Sequence, residues 1–303
     1  MKRLVSLAMP IARGLVQTVC IVALTFFLCR VMPGDVIDVL GLEGGLSDEQ
    51  QAEMRHQLGL DQPLFVQFLA WAGDALNGDF GKSLRFGQPV ADMLVAALPD
   101  TLRLAGLSFL FGVGLALSLA LAATALNSRL LDGVLDTVNL WSIAVPTFCA
   151  GFIGILVFSI WLGWLPVIGG LLLPVIIIGV DNAGQIVKTL REELKEAVML
   201  PHVRTARAKG LSRWRIAARH VLPAAAPIML ALSGLVLGGL VAGSLSMEVL
   251  FGLPGIGSLT LNAIHGRDYP VILAAVSVIA VSLVVINMVV DVLHRLMDPR
   301  YVS

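Results

Sequence analysis

The stretch HVRTARAKGLSRWRIAARHVLP, residues 202–223, carries six arginine and lysine side chains around a central glycine, Gly210. An apolar block follows it directly, AAAPIMLALSGLVLGGLVAGSLSM at residues 224–247. About 20 apolar residues in helical form cross the hydrocarbon of a bilayer. The sequence therefore predicts a basic loop beside a membrane, leading into a membrane-spanning helix.

The composition of the whole chain is that of a membrane protein. Hydrophobic residues make up 57% of the 303 residues, charged residues only 14%, and the mean hydropathy is +0.88. The net charge is zero, so any preference for a partner must come from where the charges lie in the sequence. No nucleic-acid partner is expected. We predict an all-α polytopic fold with six membrane-spanning helices. The six apolar blocks cover residues 11–31, 104–126, 140–162, 169–187, 224–247 and 270–290.

The fourth block is the least apolar, because it runs into Asp181, Asn182 and Gln185. Polar groups inside a membrane face a bundle interior or a pathway by default, so Asp181 and Asn182 are candidate pathway residues. A position at a helix end near the cytoplasm explains them as well. Glycines in the spans allow close helix approach, either to a second subunit or within this chain's own bundle. They are Gly112, Gly114, Gly234, Gly238, Gly239 and Gly243.

The distribution of charge predicts the orientation. Residues 32–100 hold three basic residues against eleven acidic ones, whereas residues 188–223 hold nine basic residues against three acidic ones. Because basic loops stay in the cytoplasm, we place residues 188–223 inside and residues 33–100 outside. With six spans, both termini are then cytoplasmic.

The predicted external segment is too long for a simple turn. Ser47 with Gln50 three residues later is typical of a helix start, and Gly59 and Pro63 separate this helix from a second one. We expect a small helical segment without independent activity. The chain then divides into an N-terminal span at 1–32, the external segment at 33–100, and a five-helix core at 101–303 that contains the loop 188–223.

The basic loop itself predicts two short helices. Glycine in a helix interior is unfavourable, so Gly210 is expected to end one helix and Ser212 to start the next. Val203, Ala206, Arg207 and Gly210 lie on one helical face, where the small Ala206 and Gly210 would let another surface approach. The alternative is a loop that contacts anionic lipid through its charges alone.

Catalytic and metal motifs are absent from the sequence, so we expect neither an enzyme nor a metal site. The three cysteines lie in apolar blocks without metal-type spacing, and the five histidines are scattered. Glu248, at the end of the fifth block, is a candidate pathway residue facing the external vestibule. An interfacial position at a helix end is the alternative for it.

Motifs along nearly the whole chain resemble the inner-membrane permease subunits of bacterial ABC importers, in their dipeptide, oligopeptide and nickel branch. The signature loop of that family has a triad, a glycine and a final Leu-Pro pair. Here they correspond to Arg204–Thr205–Ala206, Gly210 and Leu222–Pro223, with Arg204 and Thr205 in place of the usual acidic residue and alanine. The other matching motifs are VMPGD (31–35), GLDQPL (59–64), GDFGKS (78–83), LPDTLRLA (98–105), FGLPGIG (251–257), RDYPV (267–271) and DPR (298–300).

The resemblance implies a type I importer fold in the bacterial inner membrane and a translocation subunit without catalysis of its own. It implies as partners a homologous second permease, two ATPase subunits that carry ATP and Mg²⁺, an external solute-binding protein, and membrane lipid. The implied substrate is a di- or oligopeptide or a metal chelate. The coupling residues it assigns are Val203, Arg204, Thr205, Ala206, Arg207, Gly210, Leu222 and Pro223.

Two other classes of protein fit the sequence less well. A stand-alone secondary transporter would need paired buried carboxylates and discontinuous helices in matching halves, and the spans show no signal for either. A membrane-embedded enzyme would need a catalytic constellation.

Overall fold

The computed structural model describes residues 2–31, 37, 47–57 and 59–297. The described residues are helical or in connecting turns, with one isolated bridge between Lys82 and Pro89 and no strand. The predicted all-α fold is confirmed. The motifs VMPGD and DPR lie outside the described residues, except for Val31.

Twelve α-helices follow one another in the described part of the chain, and we number them in order. They are α1 (Lys2–Val31), α2 (Asp48–Gln57), α3 (Leu64–Leu76), α4 (Val90–Leu126), α5 (Arg129–Ala144), α6 (Thr147–Gly154), α7 (Leu172–Ala197), α8 (Pro201–Ala208), α9 (Arg213–Ile216), α10 (Leu222–Leu250), α11 (Ile256–His265) and α12 (Tyr269–Met297). Two π-helical segments continue them, Ile155–Trp161 after α6 and Ala217–Val221 between α9 and α10.

Five of these helices contain segments that are long and apolar enough to cross a membrane: α1, α4, α7, α10 and α12. They contain the predicted spans, with two differences in extent. Helix α4 starts well before residue 104, and α7 begins at Leu172 and continues ten residues past 187, to Ala197. The polar end of α7 stays helical because apolar side chains recur along one face, where Leu190 and Leu194 are buried.

The remaining span is broken. The prediction of one continuous helix over residues 140–162 is wrong, because α5 ends at Ala144 and the chain bends by 103° before α6. Val145 is extended, with φ −111° and ψ 111°, since the ring of the following Pro146 disfavours the helical conformation for the residue before it. A pair bent in this way is either a broken span or a re-entrant loop, and it makes six spans only when it is taken as one. The sequence did not signal the break.

The segment between α1 and α4 forms the two predicted helices. Ser47 and Gln50 make a reciprocal capping box: the Ser47 amide donates to Gln50 Oε1 at 2.9 Å, and the Gln50 amide donates to Ser47 Oγ at 3.3 Å. In the last turn of α2, the side chain of His56 hydrogen-bonds Asp61 at 2.8 Å. This hydrogen bond, and secondly the negative charge of Asp61, raise the pKa of the exposed His56 above its ordinary value.

The chain forms two compact units. Unit 1 comprises Met1–Thr101 and Pro254–Val285, and unit 2 comprises Leu102–Leu253 and Ile286–Ser303. The core of unit 1 contains Phe26 from α1 and a run of small and apolar residues at the start of α12. The core of unit 2 is built around the buried face of α7.

Close helix packing in unit 2 uses two of the glycines noted in the sequence. A Cβ on Gly112 of α4 would lie 2.8 Å from the carbonyl oxygen of Gly179 and 2.9 Å from Cβ of Asn182, both in α7. A Cβ on Gly234 would lie 2.6 Å from the side chain of Val290. These two glycines therefore pack within the chain itself, whereas a Cβ on Gly114 or Gly239 would meet nothing within 4 Å.

Candidate functional site

Helix α8 is a short helix with defined ends. Pro201 occupies its first turn, where the missing amide hydrogen costs nothing. After Ala208 the chain turns at Gly210, whose φ of +72° favours glycine. The Gly210 amide donates to the Arg207 carbonyl at 2.9 Å, and the Leu211 amide donates to the Ala206 carbonyl at 3.4 Å. This is a Schellman motif, and it confirms that Gly210 ends the helix.

A short connection leads from α8 to α10. Ser212 is extended and directly precedes α9, as predicted, although its side chain makes no capping hydrogen bond. The π-helical turn 217–221 then leads to Leu222 and Pro223, which form the first turn of α10. The ring Nε2 of His202 in α8 lies 3.0 Å from the carbonyl oxygen of His220. Helix α8 is therefore hydrogen-bonded to the turn that begins the long helix α10.

The two faces of α8 differ from the predicted arrangement. Val203 and Ala206 are 0% and 3% exposed and belong to the core of unit 2. Arg204, Thr205 and Arg207 are exposed. The prediction that Ala206 offers a small surface to another protein is wrong, because its methyl group packs into this chain's own core. What remains accessible is the arginine-bearing face and the exposed Gly210.

A buried arginine, which the sequence analysis missed, holds three helices together near α8. Arg191 of α7 is 6% exposed, and its Nε donates to Asp132 of α5 at 2.9 Å. Its two terminal nitrogens donate to Thr124 Oγ1 at 3.0 Å and to the Ala123 carbonyl at 3.3 Å, both in α4. Burying a guanidinium requires partners of this kind. The only feature of the sequence that could have predicted this buried arginine is its position next to Leu190, on an apolar face of the helix.

A cleft of ≈ 710 Å³ lies between this arginine and the basic loop. Arg191, Lys195, Arg207 and Arg213 line it together with one acid, Asp132. Lys195 also approaches the Asp132 carboxylate, at 3.8 Å. The cleft is thus positively charged, and it lies between the basic loop and the ends of α4 and α7.

The candidate pathway residues Asp181 and Asn182 are adjacent in α7 but have different surroundings. Asp181 is half-buried, and its Oδ2 accepts hydrogen bonds from Thr147 and Gln185, both at 3.1 Å. Thr147 is the first residue of α6, directly after the break, so Asp181 lies beside that break. Asn182 is buried at the Gly112 crossing, and its Nδ2 has no hydrogen-bond partner among the described residues.

Glu248 is not exposed to any vestibule in this structure. Its side chain is 0% exposed, and Ser244 one turn earlier donates a hydrogen bond to Oε1 at 3.2 Å. The expectation that it faces the vestibule is therefore wrong for this conformation. Helix α10 ends two residues later, at Leu250, and the Leu253 amide donates to the Glu248 carbonyl at 2.8 Å.

Two of the sequence motifs meet in unit 1. Asp268, from RDYPV, is 1% exposed and accepts a hydrogen bond from Ser83 Oγ of GDFGKS at 2.5 Å. The amides of Leu84 and Arg85 also donate to its carboxylate, at 3.2 and 3.4 Å. We call this contact the Asp268 latch. It fastens the turn before α4 to the start of α12.

Comparison with known proteins agrees with this architecture. A family described as "Binding-protein-dependent transport system inner membrane component" matches residues 109–303, and its N-terminal counterpart matches residues 6–105. A di/tripeptide transport system permease protein of Pseudomonas aeruginosa is 34% identical, over 91% of this chain and 92% of its own. A glutathione transport system permease protein of Escherichia coli is also 34% identical, with 94% and 95% covered. A putative peptide permease protein of Brucella suis is 31% identical, with 95% of each chain covered.

The helices and the comparisons together define a class, the membrane-spanning permease subunits of ABC importers. The chain belongs to the family of binding-protein-dependent transport system inner membrane components. Members of this family are translocation subunits of the inner membrane, and catalysis is not their role.

Proposed function

We propose that the chain forms, with a homologous second permease, the translocation pathway of an ATP-driven importer for di- or oligopeptides. An external solute-binding protein delivers the substrate, and two ATPase subunits bind ATP and Mg²⁺. Support for peptides comes from the relatives, whose names specify peptides, di- and tripeptides, and glutathione. None of these three relatives is named for a metal, so peptides take precedence over metal chelates.

The proposed orientation places α8 and both termini in the cytoplasm. It is supported by the nine basic residues of residues 188–223 and by the exposure of Arg204 and Arg207 on α8. In this orientation the exposed face of α8 is presented to a cytoplasmic ATPase.

In the proposed mechanism, α8 transmits movement of the ATPase to the membrane. Arg204, Thr205 and Arg207 contact the ATPase, while Val203 and Ala206 attach α8 to the core of unit 2. Leu222 and Pro223 start α10 directly after the π-helical segment 217–221, and His202 of α8 hydrogen-bonds His220 in that segment. A displacement of α8 therefore shifts α10, and the permease alternates between inward and outward access. The observation that carries this proposal is the capped, arginine-exposing helix α8 in a chain of this family.

The test uses Gly210→Val in the assembled transporter. A β-branched residue resists a φ of +72°, so the Schellman turn is distorted and the exposed end of α8 is lost. We expect ATP-dependent uptake of a labelled dipeptide into proteoliposomes to fall at least about tenfold, which corresponds to a loss of about 1.4 kcal/mol. Co-purification of the ATPase should fall with it.

Two control variants separate docking from strain. Gly163 has a φ of +63° and equally open surroundings but lies outside the basic loop, so Gly163→Val carries a similar backbone penalty and should retain ATPase binding. Gly210→Asn should retain most activity, because asparagine tolerates the left-handed region. Normal uptake and ATPase binding by Gly210→Val would exclude the docking role. A defect only on neutralising Arg213 and Arg215 would favour the lipid-contact alternative.

A further inference from the structure

Unit 1 contains a second cavity, which the proposed function does not use. Its volume is ≈ 360 Å³, and it lies among the end of α1, helix α3, the turn that follows α3 and the start of α12. We call it the α3 pocket. The polar residues lining it include Arg30, Gln67, Trp71, Asp74, Asp79 and Lys82. None of them belongs to the α8 loop or to the Asp268 latch.

Two buried polar atoms of α3 lack a hydrogen-bond partner among the described residues: the Trp71 indole Nε1 and the Gln67 carbonyl Oε1. Gln67 and Trp71 are four residues apart, so they lie on the same face of α3. The Gln67 Nε2 donates to the carbonyls of Leu60 and Gln62, at 3.1 and 2.8 Å. These bonds fix the orientation of the amide, so the unmet atom is an acceptor. The pocket thus has one buried donor, Trp71 Nε1, and one buried acceptor, Gln67 Oε1, without a hydrogen-bond partner among the described residues. Buried polar groups are ordinarily paired.

Charged groups of both signs surround these two atoms. Lys82 and the guanidinium of Arg30 supply positive charge, and Arg30 stacks on the rings of Phe26 and Tyr269, at 5.4 and 5.8 Å from their centroids. Asp74 and Asp79 supply negative charge and are exposed. Apolar walls come from Phe80, Leu84, Tyr269 and Pro270. A mainly apolar cavity with a few convergent polar groups is the usual form of a small-molecule site, and this volume falls in the usual range of about 300–1,000 Å³.

We propose that the α3 pocket binds a small zwitterion with a free ammonium and a free carboxylate, of the amino acid or dipeptide class. The ligand carboxylate accepts from Trp71 Nε1 and is neutralised by Arg30 and Lys82. The ligand ammonium donates to Gln67 Oε1 and is neutralised by Asp74 and Asp79. A ligand with only one of these two groups would leave either the Trp71 Nε1 donor or the Gln67 Oε1 acceptor without a partner.

Isothermal titration calorimetry on the purified full chain in lipid nanodiscs tests this, with alanyl-leucine as the probe. We expect saturable binding of the free dipeptide and none of N-acetyl-alanyl-leucine amide, which lacks both charges. Trp71→Phe removes the N–H and keeps the ring, so it should weaken binding at least about tenfold, as expected for a hydrogen bond to a charged group. Trp164→Phe is the matched control, since Trp164 is exposed and lies in unit 2.

Lys82→Gln and Asp74→Asn change exposed residues only, so they test the charges without disturbing the buried side chains. Each should weaken binding of the free dipeptide. The proposal is overturned if the wild-type chain shows no saturable binding, if the blocked dipeptide binds equally well, or if Trp71→Phe binds like Trp164→Phe. The experiment contains no ATPase, so its outcome is independent of the Gly210 test.

Discussion

Gly112 is the residue at which α4 comes closest to α7. Its missing side chain lets the backbones meet, since a Cβ there would lie 2.8 Å from the Gly179 carbonyl oxygen. That oxygen belongs to the backbone, so it cannot move aside as the tip of a flexible side chain could. The contact is therefore sensitive to a single added methyl group.

Gly112→Ala should destabilise the protein by about 2 kcal/mol, because overpacking outweighs the better helix propensity of alanine. Gly114→Ala is the matched control in the same helix, where a Cβ meets nothing within 4 Å. The measurement is thermal unfolding in detergent, followed by fluorescence-detected size exclusion. Equal unfolding temperatures for the two variants would contradict the close crossing.

At the scale of elements, the Asp268 latch gives a structural role to the motifs GDFGKS and RDYPV, which the sequence identifies only by resemblance. Ser83 and Asp268 are 185 residues apart, and neither local propensity nor periodicity connects them. The buried carboxylate accepts one hydroxyl and two amide hydrogen bonds, which makes it costly to remove.

Asp268→Ala should cost about 3 kcal/mol locally and release the turn at residues 81–89. Trypsin cleavage after Lys82 or Arg85, both exposed, reports the release in the purified protein. Asp79→Ala is the control, because among the described residues the exposed Asp79 carboxylate accepts one hydrogen bond, from the Gly81 amide at 2.8 Å. Cleavage at the same rate in both variants would show that the latch does not hold the turn.

The elements also show where sequence reasoning succeeds and where it stops. The apolar blocks, the Ser47 capping box and the Gly210 turn were predictable, because each depends on neighbouring residues. The break at Val145 was not predictable, because a proline alone does not show whether a helix ends. Pro99 and Pro227 lie inside continuous helices, whereas α5 ends just before the Val145–Pro146 pair. The inward face of α8 and the Arg191 contacts depend on other helices, and periodicity alone does not say which face of a short helix is buried.

At the scale of the whole molecule, charge is strongly segregated although the net charge is zero. Residues 32–100 are acidic and residues 188–223 are basic. The positive-inside rule acts on such asymmetry. The proposed orientation can therefore be tested with one probe on each segment.

Ser47→Cys should react with a membrane-impermeant thiol reagent in intact cells, and Ser212→Cys should react only after permeabilisation. Both serines are exposed, so accessibility does not limit the reaction. The background should lack the native cysteines, because Cys20 is exposed. Labelling of Ser212→Cys in intact cells, with Ser47→Cys protected, would invert the orientation.

The crossing of Gly112 and Gly179 divides α7 into two unequal arms. The helix is continuous, and at 1.5 Å per residue it extends about 27 Å from Gly179 to Ala197 but only about 10 Å back to Leu172. Three residues separate the end of the long arm from α8. If the proposed movement of α8 turned α7 as a rigid rod about this crossing, a displacement of about 3 Å at the α8 end would move the opposite end by about 1 Å. A movement at the basic loop would then be reduced about threefold at the other end of α7.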